Sequence, residues 1–172
     1  MTLVGSCPPE FALPDLLGVT RRLSDLRGRI GVLVFWSCEC SHAERLDRAL
    51  MQLASGWPDD IVVWRIASAA NETPQQLMRH AQGLGLAPVL LDSKQELADS
   101  LAAEVTPHVV VLDRQGIIRY VGAPDDLTLR QRQPTRSYLA EAVTALLSGA
   151  APDPSEVPAF GCVLTRRRPP VS

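Results

Sequence analysis

The sequence predicts an α/β fold, a central mixed sheet flanked by helices, with a C-terminal tail folded back onto it. Three observations lead there. Two apolar runs, IGVLVFW at 30–36 and IVVWRIA at 61–67, bracket a stretch of helical periodicity with the length of a parallel strand-helix-strand crossover. The run HVVVLD at 108–113, the turn Arg114-Gln115-Gly116 and the run IIRYV at 117–121 together form an antiparallel hairpin. An amphipathic segment at about 136–148 then closes the body.

Taken in order, the 30–36 run is rich in branched residues, too short for a helix and bounded by Gly28 and Ser37, so it reads as a buried strand. Leu46, Ala49, Leu50 and Leu53 follow at helical spacing, and Ser41 with Glu44 fits a capping box, which sets a helix from Ser41 to about Gly56. Thr73 followed by Pro74 opens a second helix ending near Gly83 or Gly85. PVLLD at 88–92 is an extended segment and KQELADSLAA at 94–103 a short helix. The last helix carries Leu139, Val143, Leu146 and Leu147 and stops at Gly149. From 150 the proline-rich APDPSEVPAF is expected to form no regular element, while the apolar Gly161-Cys162-Val163-Leu164 suits return to the body. The organisation expected is a body over 1–149 and a tail over 150–172 that belongs to the same domain.

Composition excludes several function classes. A net charge of -2 with 21% charged residues gives no basic surface for nucleic acid. Arg166-Arg167-Arg168, followed by Pro169 and Pro170, reads as a solvated tail. No run of about eighteen apolar residues could span a bilayer, and MTLVGSCPPEF lacks a charged region followed by an apolar one. The expectation is therefore a cytoplasmic setting with neither membrane nor nucleic acid as partner. Four cysteines, at 7, 38, 40 and 162, are too few for a disulfide scaffold of this length and point to catalysis or metal binding.

The densest chemistry lies in FWSCECSHAERL at 35–46, where Cys38 and Cys40 are one residue apart and His42 follows in the first helical turn. Cys38, Cys40 and His42, with Cys162, form a ligand set suited to Zn(II) or Cu(I). Such chelation requires the loop to curl back, against a regular helix capped at Ser41. A charged His42 would favour a thiolate at Cys40, and a neutral one could shuttle a proton. Glu39 would oppose the thiolate.

The order of elements, with a cysteine at the first helix and Thr106-Pro107 before the hairpin, resembles the thioredoxin fold. PPEFALPDLLGVTRRLSDLRGRIGVLVFW resembles the opening of redoxin-domain proteins, the group of alkyl hydroperoxide reductase/thiol-specific antioxidant proteins and TlpA-type thiol-disulfide oxidoreductases. TPHVVVLDRQGIIRYVGAPDD is similar to their Thr-Pro hairpin, and PTRSYLAEAVTALLSG with VPAFGCVL to the last helix and Gly-Cys tail of the peroxiredoxin-like branch.

The resemblance implies that Cys40, at the strand-to-helix junction, is the nucleophile, in agreement with the lowering of a thiol pKa by helix N-terminal amides. It implies a protein or small-molecule thiol or disulfide as substrate and requires no cofactor. Thioredoxins place a second cysteine three residues on, where this chain has Ala43, so a resolving thiol falls to Cys162 or Cys38; a bridge from Cys38 to Cys40 would be strained and oxidising. The peroxide-binding proline and threonine of peroxiredoxins are replaced by Leu33 and Ser37, and Pro107 falls about where their arginine is expected, so peroxide reduction is expected to be weak. Trp36, Ser37, Thr106 and Pro107 would border the substrate, with Thr106-Pro107 cis and the Thr106 backbone open to an extended substrate. A redoxin domain that only binds a partner is the third reading. Cys7 is expected to be structural, His80 solvated, His108 a satisfied polar residue and Trp64 core, and Asp125 and Asp126 carry no assigned role. The sequence sets no oligomeric state.

Overall fold

The computed structural model describes residues 2–168. Its centre is β3 (Ile30–Trp36), buried at every position, which pairs in parallel with β4 (Ile61–Ala67) and antiparallel with β7 (His108–Leu112). The full sheet runs β5 (Val89–Leu91), β4, β3, β7, β8 (Ile118–Gly122) and β9 (Glu156–Val157). A second, two-stranded sheet pairs β6 (Val105–Thr106) with β10 (Cys162–Val163), and a hairpin of β1 (Ala12–Pro14) and β2 (Thr20–Arg22) precedes β3.

Strand periodicity divides β3 between two apolar layers. Ile30, Val32, Val34 and Trp36 face Leu46 and Leu50 of α1 (Ser41–Ala54), Leu77 of α2 (Pro74–Leu84), and Leu139 and Val143 of α4 (Tyr138–Leu147). Leu33 and Phe35 face Leu97 and Ala98 of α3 (Glu96–Ser100) and Leu164 of the tail. Across the first layer runs a buried polar link: Asp47 accepts from the Trp36 indole at 2.8 Å and from Arg65 Nε at 2.6 Å. It ties α1 to β3 and β4 at once.

Several expectations change. Cys40, not Ser41, is the N-cap of α1, with extended φ −97° and ψ 114°; Ser41 is the first helical residue, and no Ser41–Glu44 capping box forms. The capping box is found instead on α2, between Thr73 and Gln76. Helix α3 covers half its predicted span because Gln95 and Ala102 adopt left-handed φ of 63° and 52°. The proline-rich tail does contribute regular structure: β9 lies parallel to β8, with Gly122 opposite Val157, and β10 lies antiparallel to β6. A side chain at Gly122 would meet the Val157 carbonyl, so glycine is what lets the tail approach. His80 is half-buried with its ring 5.7 Å from Trp36, Cys7 is exposed, and the buried His108 leaves Nε2 without a partner. Trp64 is buried as expected. Arg166 is tied down, to Asp99 at 2.6 Å and the Ala103 carbonyl at 2.7 Å; Pro169 and Pro170 lie outside the described residues.

Candidate active site

Strand β3 ends at Trp36 and the chain turns through Ser37, Cys38 and Glu39 before α1 begins. Glu72, in the loop before α2, fixes this turn: its Oε1 accepts from the Ser37 hydroxyl at 2.7 Å and from the Glu39 amide at 3.1 Å. The result presents Cys40, 2% exposed, at the start of α1. Its thiol donates to the Thr106 carbonyl at 3.1 Å, across the cis Thr106-Pro107 bond's strand.

Cys162 arrives from the far end of the chain. It stands opposite Thr106 in the β6–β10 pair and lines the same opening as Cys40. Gly161 permits this approach, since a side chain there would run into the Thr106 carbonyl. The tail is held on both sides of Cys162. Upstream, Phe160 packs edge-on against the His42 ring at 5.4 Å. Downstream, the Leu164 amide donates to Glu104, and the Thr165 carbonyl accepts from the Ala70 amide and from Gln95 Nε2.

The electrostatics separate the three thiols. Burial opposes a charge on Cys40, but hydrogen bonds from the Cys162 thiol, the Thr106 side chain and the amides of Ala43 and Cys162 outweigh it, and hold its pKa below the ordinary 9.0. Ionisation gives up the bond to the Thr106 carbonyl and leaves the sulfur facing donors. Cys162 is pushed up to about 11 by burial, then by its bond to Cys40 and the charge there, despite help from the amides of His42 and Ser41. Cys38 is pushed up to about 12 by burial and by a hydrogen bond to Glu72, with the Glu72 and Glu39 charges adding to it. The amides of the first turn of α1 thus serve both sulfurs of one pair, and Cys38 stands apart in a negative field.

Of the residues picked from sequence, Cys40, Cys162, Thr106 and Ser37 line one opening, while Trp36 is fully buried with its indole on Asp47, and Pro107 is buried behind Thr106. Asp47, Arg65, Glu72 and Gln95 escaped the sequence reading. Each is a single polar residue whose partners come from other elements, and none had a local pattern to reveal it. Asp125, given no role, pairs with Arg45 of α1 at 2.7 Å. Among the described residues, no three of His, Cys, Asp and Glu are grouped to hold a metal ion.

A mixed sheet of this order, with Cys40 at the start of the first crossover helix, defines a thioredoxin-like fold. The family model of the AhpC/TSA family matches residues 4–121, and the chain belongs to that family. It is 31% identical over 122 residues to the Pasteurella multocida protein named "Probable thiol:disulfide interchange protein DsbE-2", a match over 69% of this chain and 62% of that one. The chain therefore spans less than two thirds of that relative. It is 28% identical to the thiol-disulfide oxidoreductase ResA of Geobacillus kaustophilus, over 69% of this chain and 68% of the relative. A crystal structure of an uncharacterized conserved protein from Geobacillus kaustophilus superimposes with a TM-score of 0.88 at 26% identity, covering 100% of this chain and 95% of that one. The structural match includes the tail, which the family model does not reach.

Proposed function

We propose that this protein is a thiol-disulfide oxidoreductase whose redox pair is Cys40 and Cys162. The observation that carries this reading is the delivery of Cys162 to Cys40 by strand pairing with Thr106. In the reduced protein Cys40, the more acidic thiol, attacks one sulfur of a disulfide substrate; the first substrate thiol leaves, taking a proton. Cys162 then attacks Cys40 in the mixed disulfide, releases the second thiol and closes a Cys40–Cys162 bridge. Once Cys40 is bonded to substrate it carries no charge, so two of the influences that raise the Cys162 pKa are gone at the moment that thiol must ionise. An external dithiol resets the pair.

The names of the relatives support the same reaction class. Cys38 has no part in it. Peroxide reduction is at most a minor activity in this reading, since the Ser37 hydroxyl is engaged by Glu72 and Leu33 is packed in the core. The setting proposed is cytoplasmic. The test is disulfide mapping by mass spectrometry of protein oxidised with a small disulfide. A Cys40–Cys162 bridge is expected; a bridge from Cys38 to Cys40, or undiminished exchange in Cys40→Ser, would falsify the assignment.

A further inference from the structure

We infer that the disulfide this site accepts is of low molecular weight and not part of an extended polypeptide; the inference deepens the oxidoreductase reading and rests on it. An extended chain that reacts beside a strand gains its affinity by adding to a free backbone edge. Here the edge of β6 beside Cys40 is taken. Thr106 is paired with Cys162 and Val105 with Val163, and the Leu164 amide continues the ladder onto the Glu104 carbonyl at 2.9 Å. The chain's own tail occupies this edge, and it places Cys162 opposite Thr106, the residue whose carbonyl accepts from the Cys40 thiol.

This strand is fixed, not loosely docked. Gly161 lies so close to the Thr106 carbonyl that no side chain fits between them. Past Cys162, Leu164 is buried in the core, and one side chain, Gln95, bonds the Ser68 and Thr165 carbonyls and accepts from the Arg167 amide. Before it, β9 is laid against β8. Clearing the edge would mean breaking all of these contacts together.

What remains open at the sulfurs is a pocket of about 160 Å³ lined by Ser37, Glu39, Cys40, Asn71, Thr106 and Cys162. That volume falls below the roughly 300–1,000 Å³ of sites for drug-sized ligands. It admits the sulfur and a few atoms of a small disulfide. In the reaction, R–S–S–R and the protein dithiol give two R–SH and the Cys40–Cys162 disulfide; the substrate is reduced by two electrons and the protein oxidised by two.

The test traps the first step in Cys162→Ser, which keeps β10 but cannot resolve the adduct. Rates of adduct formation on Cys40 are measured by intact mass with bis(2-hydroxyethyl) disulfide and with a linear decapeptide dimer joined by one central disulfide. Each is divided by the rate of the same probe with free glutathione. The expected preference for the small probe is about 100-fold, because the seated tail and the opening of about 160 Å³ exclude the residues that flank the peptide's sulfur, a hindrance free glutathione does not impose. Adding Gly161→Ala, which drives the tail from Thr106, should shrink that preference about tenfold or more; where that variant does not fold, Gln95→Ala loosens the same strand from its downstream anchor. Equal normalised rates in the intact-tail protein, or a preference unmoved by releasing the tail, would overturn the inference. No adduct with either probe would instead overturn Cys40 as nucleophile.

Discussion

Cys162 stands directly opposite Thr106, the residue whose carbonyl accepts the Cys40 thiol proton, so one backbone register aligns both sulfurs across 122 residues of sequence. The strand pairing fixes the Cys162 backbone whether or not its sulfur is present, and this makes the sulfur's own contribution measurable. Cys162→Ala removes a hydrogen-bond donor from Cys40 and leaves β10 in place. The Cys40 titration midpoint should rise toward the ordinary thiol value, and its iodoacetamide alkylation at pH 7 should slow about tenfold, one unit of pKa. An unchanged midpoint would show that the helix amides and Thr106 hold the thiolate alone.

Two thiols one residue apart should react very differently. With Cys38 pushed up to about 12 and Cys40 held below 9.0, limited alkylation at pH 7 followed by peptide mapping should label Cys40 first and Cys38 last of that pair. Replacing Glu72 by Gln removes one of the charges that suppress Cys38 and frees the turn at Ser37. The Cys38 rate should rise in that variant, and equal labelling of both thiols in the native protein would contradict the electrostatic separation described above.

The link of Trp36, Asp47 and Arg65 is buried and costly to break. Asp47→Ala leaves a buried guanidinium and an indole N–H unpaired, and should cost about 3–5 kcal/mol in urea unfolding. Asp47→Asn keeps an acceptor for one of them and should cost less. A loss under about 1 kcal/mol for the alanine would mean that water takes the place of the carboxylate.

His108 predicts a stability change with pH. Burial lowers its pKa to about 4 from an ordinary 6.5, so it stays neutral in the folded protein where the unfolded chain already binds a proton. Between these two values the unfolded state holds more protons; stability therefore rises with pH and is lost on acidification, by about 3 kcal/mol over the window. Comparing chemical unfolding at pH 6.5 and 4.5, His108→Phe should show a flatter dependence than the native protein. Parallel slopes would assign the acid sensitivity to other groups.

The apolar runs and their flanking glycines made β3, β4, β7 and β8 legible, because burial on both faces leaves a continuous hydrophobic record. The helix start beside Cys40 was legible too, although the wrong residue was expected to cap it. Ser41 has the better capping side chain, yet the turn fixed by Glu72 sets Cys40 at the junction, and only tertiary contacts reveal that. Both limits of α3 are hidden because Gln95 before it and Ala102 after it take left-handed backbone conformations that their residue types do not announce. The prolines of the tail point to irregular structure, and pairing across so large a sequence separation leaves no periodic trace in two-residue strands. Cys162 stands out because cysteine is rare here and because VPAFGCVL resembles the family's Gly-Cys tail, but nothing local says which thiol it meets.

The placement of β9 and β10 also sets the order in which the protein becomes chemically complete. A growing chain can carry β3 through β8 and Cys40 before residue 162 exists, and in that interval the thiol lacks Cys162. The tail seats β9 against β8 and, a few residues on, β10 against β6. A Cys40–Cys162 disulfide would therefore report that synthesis has passed residue 162 and that β10 has reached β6.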